Sequence, residues 1–508
     1  MIFRISCQRM PIFMILFLML KPNIVVADAK EPERNRVQEI AQVDQKQALI
    51  NNDGHKSTHL QQIKARSIHQ SWTERCTGIL GIIFIIAVAW LMSTNRRGVS
   101  WRVVAYGIFL QFVLAVVVLK TDVGRLLFDG ANSMVVKILG FSVEGSRFVF
   151  GNLVALNVPV GIPGEGAAAH MAQLAPTGAF ANTGAFFAFA VLPTIIFFSA
   201  LTAILYYFGI LQFVVRGISR VMQYTLKTSG AESFSTAANI FLGQTEAPLL
   251  VKPFIKNMTK SEIMAVMSGG FATVSGGVLV AFVGMLVAHF PDIAGHLLAA
   301  SVMSAPASLV IAKIMVPETE VPLTLTTRKI EVEITDTNVF DAATRGTSDG
   351  LYLCINVAAM LIAFVALIAF FNWILGSIGG MFGAPDLSLD LIFSFFFSPF
   401  AFLLGVPWED ATSVGKLLGL KTAINEFVAY LNLADLLNNG AFKNPKSVVI
   451  ATYALCGFAN FASIGVQIGG LSAIAPTRRQ DFAALGFRAM VAGTFACLLS
   501  AAIAGILL

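Results

Sequence analysis

The chain has 508 residues, of which 56% are hydrophobic and only 13% are charged, and its mean hydropathy is +0.75. Soluble globular proteins carry about 25% charged residues, so this composition excludes that class and indicates a polytopic helical membrane protein. The net charge is +6, and the Lys and Arg residues lie mostly in short loops between apolar stretches. Such residues set membrane topology, and we therefore predict no binding of nucleic acid.

The first segment has the pattern of a secretory signal peptide. Two arginines precede an apolar run over 11–20, and Ala27 and Ala29 provide the small residues of a cleavage site. A retained anchor that dips into the membrane is the alternative. We predict a signal peptide over 1–29 and a polar extramembrane tail over 30–76.

Two spanning helices are predicted over 78–92 and 103–119 from their apolar length. The loop between them contains Arg96 and Arg97, which favour the cytoplasmic side, so the N-terminal tail is predicted to lie outside. Next, apolar residues at helical spacing between 123 and 138 predict an interfacial helix on the outer face.

A Gly- and Ala-rich stretch over 151–184 is predicted to be a long, partly ordered outer loop, because Gly and Pro favour turns. The third span is predicted over 186–208. Arg216, Arg220 and Lys227 follow this span and place its far end on the cytoplasmic side.

The stretch 239–253 interrupts an apolar region with Asn239, Glu246, Pro248 and several other polar or helix-breaking residues. Irregular backbone at membrane depth is tolerated only where protein or a watery cavity covers it. A carboxylate at that depth marks a substrate or ion pathway. We therefore predict a re-entrant hairpin that enters from the cytoplasm with its tip near 243–246, in a protein that moves a polar solute.

The second part of the chain contains a similar apolar stretch over 417–437, in which Glu426 predicts a second hairpin, entering from outside. The apolar stretch 387–406 before it is predicted to be an interfacial helix, because a full crossing would invert the positive-inside pattern downstream. The remaining spans are predicted over 263–287, 297–315, 351–375, 448–474 and 489–508. The predicted fold is all-α and polytopic, with about eight transmembrane helices, two re-entrant helical hairpins and interfacial helices.

A short internal repeat relates the two halves. Gly270-Phe-Ala-Thr273 in the first half resembles Gly457-Phe-Ala-Asn460 in the second, and each follows a hairpin that contains a glutamate. Corresponding interrupted hydrophobic segments in two halves are a sequence signal of the binding site of a secondary transporter. Since the charge pattern places one hairpin inside and the other outside, we predict an inverted repeat.

Three motifs occur in order along the chain: Gly243-Gln-Thr-Glu-Ala-Pro-Leu249, Asn425-Glu-Phe-Val-Ala-Tyr430 and Gly457-Phe-Ala-Asn-Phe-Ala-Ser463. Together they resemble the motifs of the concentrative nucleoside transporter family. The resemblance, to a bacterial member, covers about residues 77 to 508. It implies a multi-pass homotrimer in the lipid bilayer of the cell (inner) membrane that imports nucleosides with sodium by an elevator-type alternating-access mechanism.

The resemblance also implies the residues of the site. Residues 244–246 at the tip of the first hairpin would read the nucleobase. Glu426, Asn460 and Ser463 would bind the ribose, and Phe458 would pack beside the substrate. The complete substrate set is Gln244, Thr245, Glu246, Glu426, Phe458, Asn460 and Ser463. Sodium is the coupling ion, no other cofactor is implied, and the ion is held by Asn239, Leu242, Thr273 and Val274.

The domain organisation follows from the same resemblance. It implies scaffold helices that stay in place and two transport-domain halves that move together. The boundaries are 77–215 for the N-terminal scaffold, 216–316 for the first transport-domain half, 317–350 for a cytoplasmic loop, 351–376 for a scaffold helix and 377–508 for the second transport-domain half.

The chemistry of these residues agrees with the resemblance. An amide, a hydroxyl and a carboxylate can pair with the edge of a nucleobase, and a carboxylate can accept from two ribose hydroxyls in charge-assisted bonds. A hard cation prefers amide, hydroxyl and carbonyl oxygens. The amide of Asn239 favours sodium as the coupling ion, whereas a proton carried by Glu246 or Glu426 is the alternative.

Other readings of the same residues stay open at this point. Glu246 or Glu426 could form a structural ion pair with Lys252 or Lys421, and Asn239 and Thr273 could cap broken helices. Phe458 could be ordinary core packing. A passive channel could use similar hairpins. A membrane-embedded enzyme is disfavoured, because the sequence shows neither a nucleophile–base pair nor Cys or His residues at metal-binding spacing.

Overall fold

The computed structural model describes residues 72–155, 157–162, 175–182, 187–325 and 336–508. The predicted signal peptide and all but the last few residues of the predicted tail lie outside the described residues.

Helices dominate the N-terminal part, with one short sheet. In chain order, this part contains α1 (Trp72–Leu91), α2 (Trp101–Lys120), α3 (Asp122–Phe150), β1 (Asn157–Ile162), β2 (Ala175–Asn182), α4 (Leu192–Tyr207) and α5 (Ile210–Leu226). A π-helical turn, Phe187–Val191, leads directly into α4. The two strands pair antiparallel, with a register irregularity between Pro159 and Gly161.

The remaining helices form two series of short and long elements. The first series contains α6 (Gly230–Ala238), α7 (Lys252–Ile255), α8 (Lys260–Ala272), α9 (Gly276–Leu286) and α10 (Ile293–Met315). The second series contains α11 (Val339–Met381), α12 (Leu389–Leu403), α13 (Trp408–Ala423), α14 (Glu426–Asn438), α15 (Pro445–Leu455), α16 (Phe461–Ile474) and α17 (Arg479–Leu507). Short 3₁₀ turns occur at Arg96–Gly98, Gly151–Val154, Ala247–Val251 and Pro476–Arg478.

Seven helical segments of the described part are long and apolar enough to cross a membrane: Trp101–Lys120, Asp122–Val154, Phe187–Tyr207, Lys260–Leu286, Ile293–Met315, Val339–Met381 and Pro476–Leu507. All of these except Asp122–Val154 overlap predicted spans. The predicted span 78–92 corresponds to the shorter helix α1, and 448–474 is divided between α15 and α16. Counting the bent pair α12–α13 gives eight, so the number of crossings stays a prediction.

The region predicted to lie on the outer face differs from the expectation in two ways. The helix expected over 123–138 extends to Phe150, and it begins where the side chain of Thr121 accepts a hydrogen bond from the amide of Gly124. Asn132 on this helix donates to the carbonyl of Pro291 at 3.1 Å, which fixes α3 against the start of α10. The predicted loop 151–184 contains the pair β1–β2, because its Gly and Pro residues hide a short strand pattern.

The helices in the region of the second predicted hairpin begin earlier than predicted. Helix α13 starts directly after Pro407, and Glu409 and Asp410 lie in its first turn, where acidic side chains favour a helix N-terminus. The axes of α12 and α13 differ by 118°, so the chain turns sharply between them. The stretch expected over 417–437 is therefore only the end of one helix and most of the next.

Both halves repeat the same order of elements. In each, a helix, an irregular break and a second helical segment are followed by a helix that is itself broken, and then by a long unbroken helix. The first broken helix is α8–α9, interrupted at 273–275, and the second is α15–α16, interrupted at 456–460. The first copy of the Gly-Phe-Ala motif forms the end of α8, directly before its interruption, and the second copy lies inside the interruption at 456–460. The opposite membrane orientation of the two halves stays a prediction.

Buried charges stabilise the base of the first hairpin. Ser229 and Glu232 form a capping box at the start of α6, and Thr259 and Glu262 form one at the start of α8. Lys313 at the end of α10 lies 2.8 Å from the Glu232 carboxylate. These contacts join the starts of two helices to the end of a third.

The long helices pack in two different environments. The apolar part of Lys260–Leu286 is 94% buried inside the protein, whereas that of Val339–Met381 is 11% buried. Helix α11 lies along α4, where a Cβ at Gly346 or Gly350 would come within 2.7 Å of α4 atoms. Large apolar side chains on the remaining faces of α11 are exposed, and they suit contact with lipid or another subunit.

Candidate functional site

The tip of the first hairpin is an irregular segment between α6 and α7. Helix α6 ends at Ala238, and the chain then passes through turns before the 3₁₀ segment Ala247–Val251. The carboxylate of Glu246 accepts a hydrogen bond from the amide of Gly243 at 3.2 Å, which closes the turn. The residues that break the helix thus also form the turn at this predicted tip.

Four residues that the resemblance assigns to sodium lie at the junction of two breaks. Asn239 and Leu242 follow the end of α6, and Thr273 and Val274 follow the end of α8. The two segments touch, because the carbonyl of Phe241 accepts a hydrogen bond from the amide of Gly276 at 2.9 Å, just after the second break. All four residues are buried.

The side chain of Asn239 has an unusual position. It is fully buried, and in the described part of the chain neither its amide oxygen nor its amide nitrogen has a hydrogen-bond partner. A buried polar group without a partner is costly, so such a group calls for a ligand or water. Thr273 donates its hydroxyl proton to the carbonyl of Gly269 at 2.9 Å, which leaves its oxygen lone pairs as acceptors. Amide and hydroxyl oxygens fit a hard cation such as sodium.

Glu426 begins helix α14 and is buried. Its carboxylate accepts a hydrogen bond from the side-chain amide of Asn460 at 2.9 Å. The amide oxygen of Asn460 accepts from the backbone of Ser463 at 2.8 Å and so caps α16. The structure therefore brings together three residues of the predicted ribose set at the start of one broken half-helix.

Lys421 and Glu426 do not form the structural ion pair that the sequence offered as an alternative. The ammonium of Lys421 donates to the backbone carbonyls of Ala454 and Cys456. Asn460, rather than Lys421, is the hydrogen-bond partner of Glu426. Asn239 and Thr273 do occupy the C-cap positions of α6 and α8, but the side-chain amide of Asn239 makes no hydrogen bond within the described part of the chain.

The two broken helices contact each other closely. Gly457 has φ +113°, in the region that favours glycine, and a Cβ there would lie 2.7 Å from the carbonyl oxygen of Phe271. Phe458, the next residue, is half-buried and packs against the core. Because Phe271 is in the last turn of α8, the break of the second half meets the end of the broken helix of the first half.

Both hairpins contact helix α16. A Cβ at Gly470 would lie 2.7 Å from the side chain of Thr245, so the tip of the first hairpin lies against the later part of α16. Glu426 of the second hairpin reaches the start of α16 through Asn460. Ten residues of helix separate these two contacts, or about 15 Å along the axis. Helix α16 thus connects the two predicted halves of the site.

Glu246 and its neighbours differ in exposure from Glu426. Gln244 and Thr245 are half-buried, whereas Glu246 is exposed, although protein surrounds the carboxylate on most sides. This combination is typical of a group that lines a cleft. A hydrogen-bonding group for a polar solute needs such access.

Gln467 was missed by sequence reasoning. Its buried side-chain amide donates to the carbonyl of Met267 at 3.0 Å, and a Cβ at Gly270 would contact both Gln467 and Gln244. Its amide oxygen has no hydrogen-bond partner in the described part of the chain. A helical spacing of three and then four residues from Asn460 through Ser463 leads to Gln467, and this signal was available in the sequence.

We expect Gln467→Leu to raise the KM for the transported solute about tenfold, because one buried hydrogen bond beside the tip of the first hairpin is lost. The maximal rate should change less, since the breaks themselves stay intact. Gln111→Leu is the matched control: Gln111 is also buried, donates to its own helix at Gly107 and has a partnerless amide oxygen, but it lies on α2. An equal rise of KM in both variants would show that Gln467 acts only through general stability.

Apolar spans, interrupted helices and buried polar groups at the interruptions define the class of secondary membrane transporters. Residues 80–153 match the family description "Na+ dependent nucleoside transporter N-terminus", residues 188–289 match "Nucleoside recognition", and residues 296–505 match "Na+ dependent nucleoside transporter C-terminus". The chain belongs to the concentrative nucleoside transporter family.

Individual relatives agree. Solute carrier family 28 member 3 of Mus musculus is 42% identical over 440 residues, which are 84% of this chain. The chain spans 58% of the length of that relative. An uncharacterized transporter of Haemophilus influenzae is 43% identical over 435 residues, which cover 85% of this chain and 97% of the relative. These relatives are named as carriers or transporters and not as enzymes.

Solved structures show the same fold. CNTnw in an inward-facing substrate-bound state matches with a TM-score of 0.74 and 43% identity, over 85% of this chain and 97% of that chain. A variant of CNTnw in an outward-facing state matches with a TM-score of 0.73 and 41% identity over the same shares. The helical membrane-transporter fold predicted from the sequence is thereby confirmed, with the short strand pair β1–β2 in addition, while the re-entrant hairpins stay predictions.

Proposed function

We propose that this protein is a symporter that imports nucleosides with sodium. The observation that carries the proposal is the buried contact between Glu426 and Asn460, at 2.9 Å, where the second hairpin meets the second broken helix. A carboxylate and an amide side by side can accept from and donate to neighbouring hydroxyl groups. Ribose offers two such hydroxyls, and bonds from them to a carboxylate are charge-assisted.

The nucleobase would be read by the tip of the first hairpin. Gln244 and Thr245 lie against α8 and α16, and the carboxylate of Glu246 is accessible beside them. Together they offer an amide, a hydroxyl and a carboxylate, which can pair with donors and acceptors on the edge of a base. Phe458 would pack beside the substrate, as a half-buried aromatic side chain next to Asn460 can.

Sodium would bind between the two breaks of the first half. The partnerless amide of Asn239 supports sodium over a proton, because an amide oxygen is a ligand for a hard cation and does not titrate. Thr273 would add its hydroxyl oxygen, and Leu242 and Val274 would add backbone carbonyls. The ion would then fix residues 239–242, which lead directly into the nucleobase-reading tip.

This arrangement explains coupling in physical terms. Ordering the backbone of 239–242 costs conformational entropy, and bound sodium would supply the contacts that offset this cost. A nucleoside that binds afterwards meets a tip already in its binding geometry, so each ligand raises the affinity for the other. Coupling of this kind is what a symporter requires.

Movement and assembly complete the proposal. The hairpins and broken helices, with α10 and α17, would form the transport domain, which moves as an elevator against a scaffold that includes α4 and α11. The exposed apolar faces of α11 support contact with lipid or with the other subunits of a homotrimer. We propose the cell membrane as the location.

The proposed function is tested by uptake of radiolabelled uridine and adenosine into proteoliposomes, in sodium, lithium or choline chloride. We expect accumulation above the external concentration in sodium and its collapse in choline, because only coupling to an ion gradient drives uphill movement. A pH gradient without sodium should not drive this accumulation. Uptake that never exceeds equilibration would indicate a channel, and uptake driven by the pH gradient alone would indicate proton coupling.

A further inference from the structure

One buried lysine has no role in the proposed function. Lys421 lies in the last turn of α13, in the second hairpin, and it is 1% exposed. Its ammonium donates to the backbone carbonyls of Ala454 at 2.9 Å and Cys456 at 3.3 Å. These carbonyls lie where α15 ends and the second broken helix is interrupted, and the C-terminus of a helix carries partial negative charge.

The first helices of the two hairpins, α6 and α13, end in similar sequences. Helix α6 of the first hairpin ends in Thr236-Ala-Ala-Asn239, and helix α13 of the second hairpin ends beside Thr422-Ala-Ile-Asn425. In each half, the hairpin helix that carries this motif faces the interruption of the broken helix that follows it. Counted from the helix ends at Ala272 and Leu455, Cys456 corresponds to Thr273, so the carbonyl of Cys456 is the counterpart of one proposed sodium ligand.

The corresponding asparagines are used differently. Asn239 is buried and without a hydrogen-bond partner in the described chain, so its amide oxygen is free to bind an ion. Asn425 accepts a hydrogen bond from the amide of Val428 at 2.9 Å, so its oxygen caps the start of α14. At the second interruption, the ammonium of Lys421 donates hydrogen bonds to the backbone carbonyls instead.

We propose that Lys421 is a tethered cation, which takes in the second half the place that sodium takes in the first. The inference rests on the proposed function and adds a positioning residue to it. Lys421 fixes the second hairpin to the interruption at 456–460 without any ion from solution. Glu426 and Asn460, which lie on either side of this junction, then stay in register whether or not sodium is bound.

The two halves are therefore stabilised in different ways. The second half is permanently held by its own lysine, so the ribose-binding pair is preformed. Only the first hairpin depends on sodium for its geometry. An ordinary helix cap by Lys421 would also satisfy the two carbonyls. The two roles differ in one respect: only a lysine that replaces an ion leaves behind a site that sodium can fill.

The test compares wild type and Lys421→Met by thermal unfolding of the purified protein in sodium chloride and in choline chloride at equal ionic strength. Methionine keeps the volume of the side chain and removes the charge and the donors. We expect a lower Tm than wild type in choline, and a larger gain of Tm on changing to sodium than wild type shows. In proteoliposomes, uridine uptake at low sodium should fall about tenfold and rise more steeply with sodium concentration than in wild type.

Tyr430→Phe is the matched control. The hydroxyl of Tyr430 donates to the carbonyl of Thr452 on the same helix α15, at 2.9 Å, and it carries no charge. The Tm of this variant should lie below that of wild type by the same amount in both salts. Lys421→Gln is the second variant, because its shorter side chain has no charge but still offers amide donors to the carbonyls. On changing from choline to sodium, the Tm of Lys421→Gln should rise more than that of wild type but less than that of Lys421→Met.

A sodium response of Tm equal to that of wild type in both lysine variants would overturn the proposal, whatever happens to uptake. Failure of both variants to yield folded protein in either salt would do the same, since it would show a purely structural role. The Tm comparison needs no nucleoside. Wild type that fails to accumulate nucleosides would therefore contradict the proposed function and leave the result for Lys421 to be read separately.

Discussion

Glu426→Gln should abolish nucleoside uptake while the protein still folds and assembles. Glutamine keeps the size of the side chain, and Asn460 can still donate to its oxygen, so the contact between the second hairpin and α16 survives. The charge-assisted bonds to the two ribose hydroxyls are lost. Such bonds contribute about 1.5–3 kcal/mol each, so we expect roughly a hundredfold or greater loss of kcat/KM for uridine. Initial rates in proteoliposomes, with gel filtration as the check on assembly, measure this.

The control for this variant is Glu409→Gln on the same hairpin. Glu409 lies at the exposed start of α13, 3.4 Å from Lys443, where a single ion pair contributes little. Its uptake should stay within about twofold of wild type. Wild-type transport by Glu426→Gln would remove Glu426 from the ribose site.

Asn239→Ala should raise the sodium concentration for half-maximal uptake about tenfold, because one oxygen ligand of the ion is lost. The nucleoside KM measured at low sodium should rise as well, since the two ligands are coupled through residues 239–242. At saturating sodium it should approach the wild-type value. The fold should be little affected, because in the described part of the chain the Asn239 side chain makes no hydrogen bond to lose.

Asn432→Ala is the comparison for this prediction. Asn432 is a half-buried asparagine on α14 that donates to the carbonyl of Val428 at 3.0 Å, within its own helix. Its loss should change stability slightly and leave the sodium dependence as in wild type. If Asn239→Ala also keeps the wild-type sodium dependence, the ion binds elsewhere or the coupling ion is different.

The sequence predicted the interruptions well because their signals are local. Asn239, Gly243 and Pro248 break an apolar helix wherever it packs, and Asn460 and Gly457 do the same in the second half. The structure places each of these residues at a break or a hairpin tip. The family resemblance then assigned their roles, and the contact between Glu426 and Asn460 agrees with that assignment.

What the sequence could not predict depends on contacts between distant residues. Gln467 donates to Met267, 200 positions away, and no local pattern indicates which helix it meets. The strands β1 and β2 lie in a Gly- and Pro-rich stretch whose composition favours turns. The true start of α13 was missed for another reason: the apolar run that drew attention to 417–437 begins well after the capping signal at Pro407.

The most direct measurement is a cryo-electron microscopy structure of the reconstituted protein with uridine in sodium. We expect the uridine between the two hairpin tips, its ribose hydroxyls in contact with Glu426 and Asn460, its base beside Gln244 and Glu246, and an ion next to Asn239. Uridine bound elsewhere, or hairpin tips that open to lipid or to bulk water without contacting the ligand, would contradict this account.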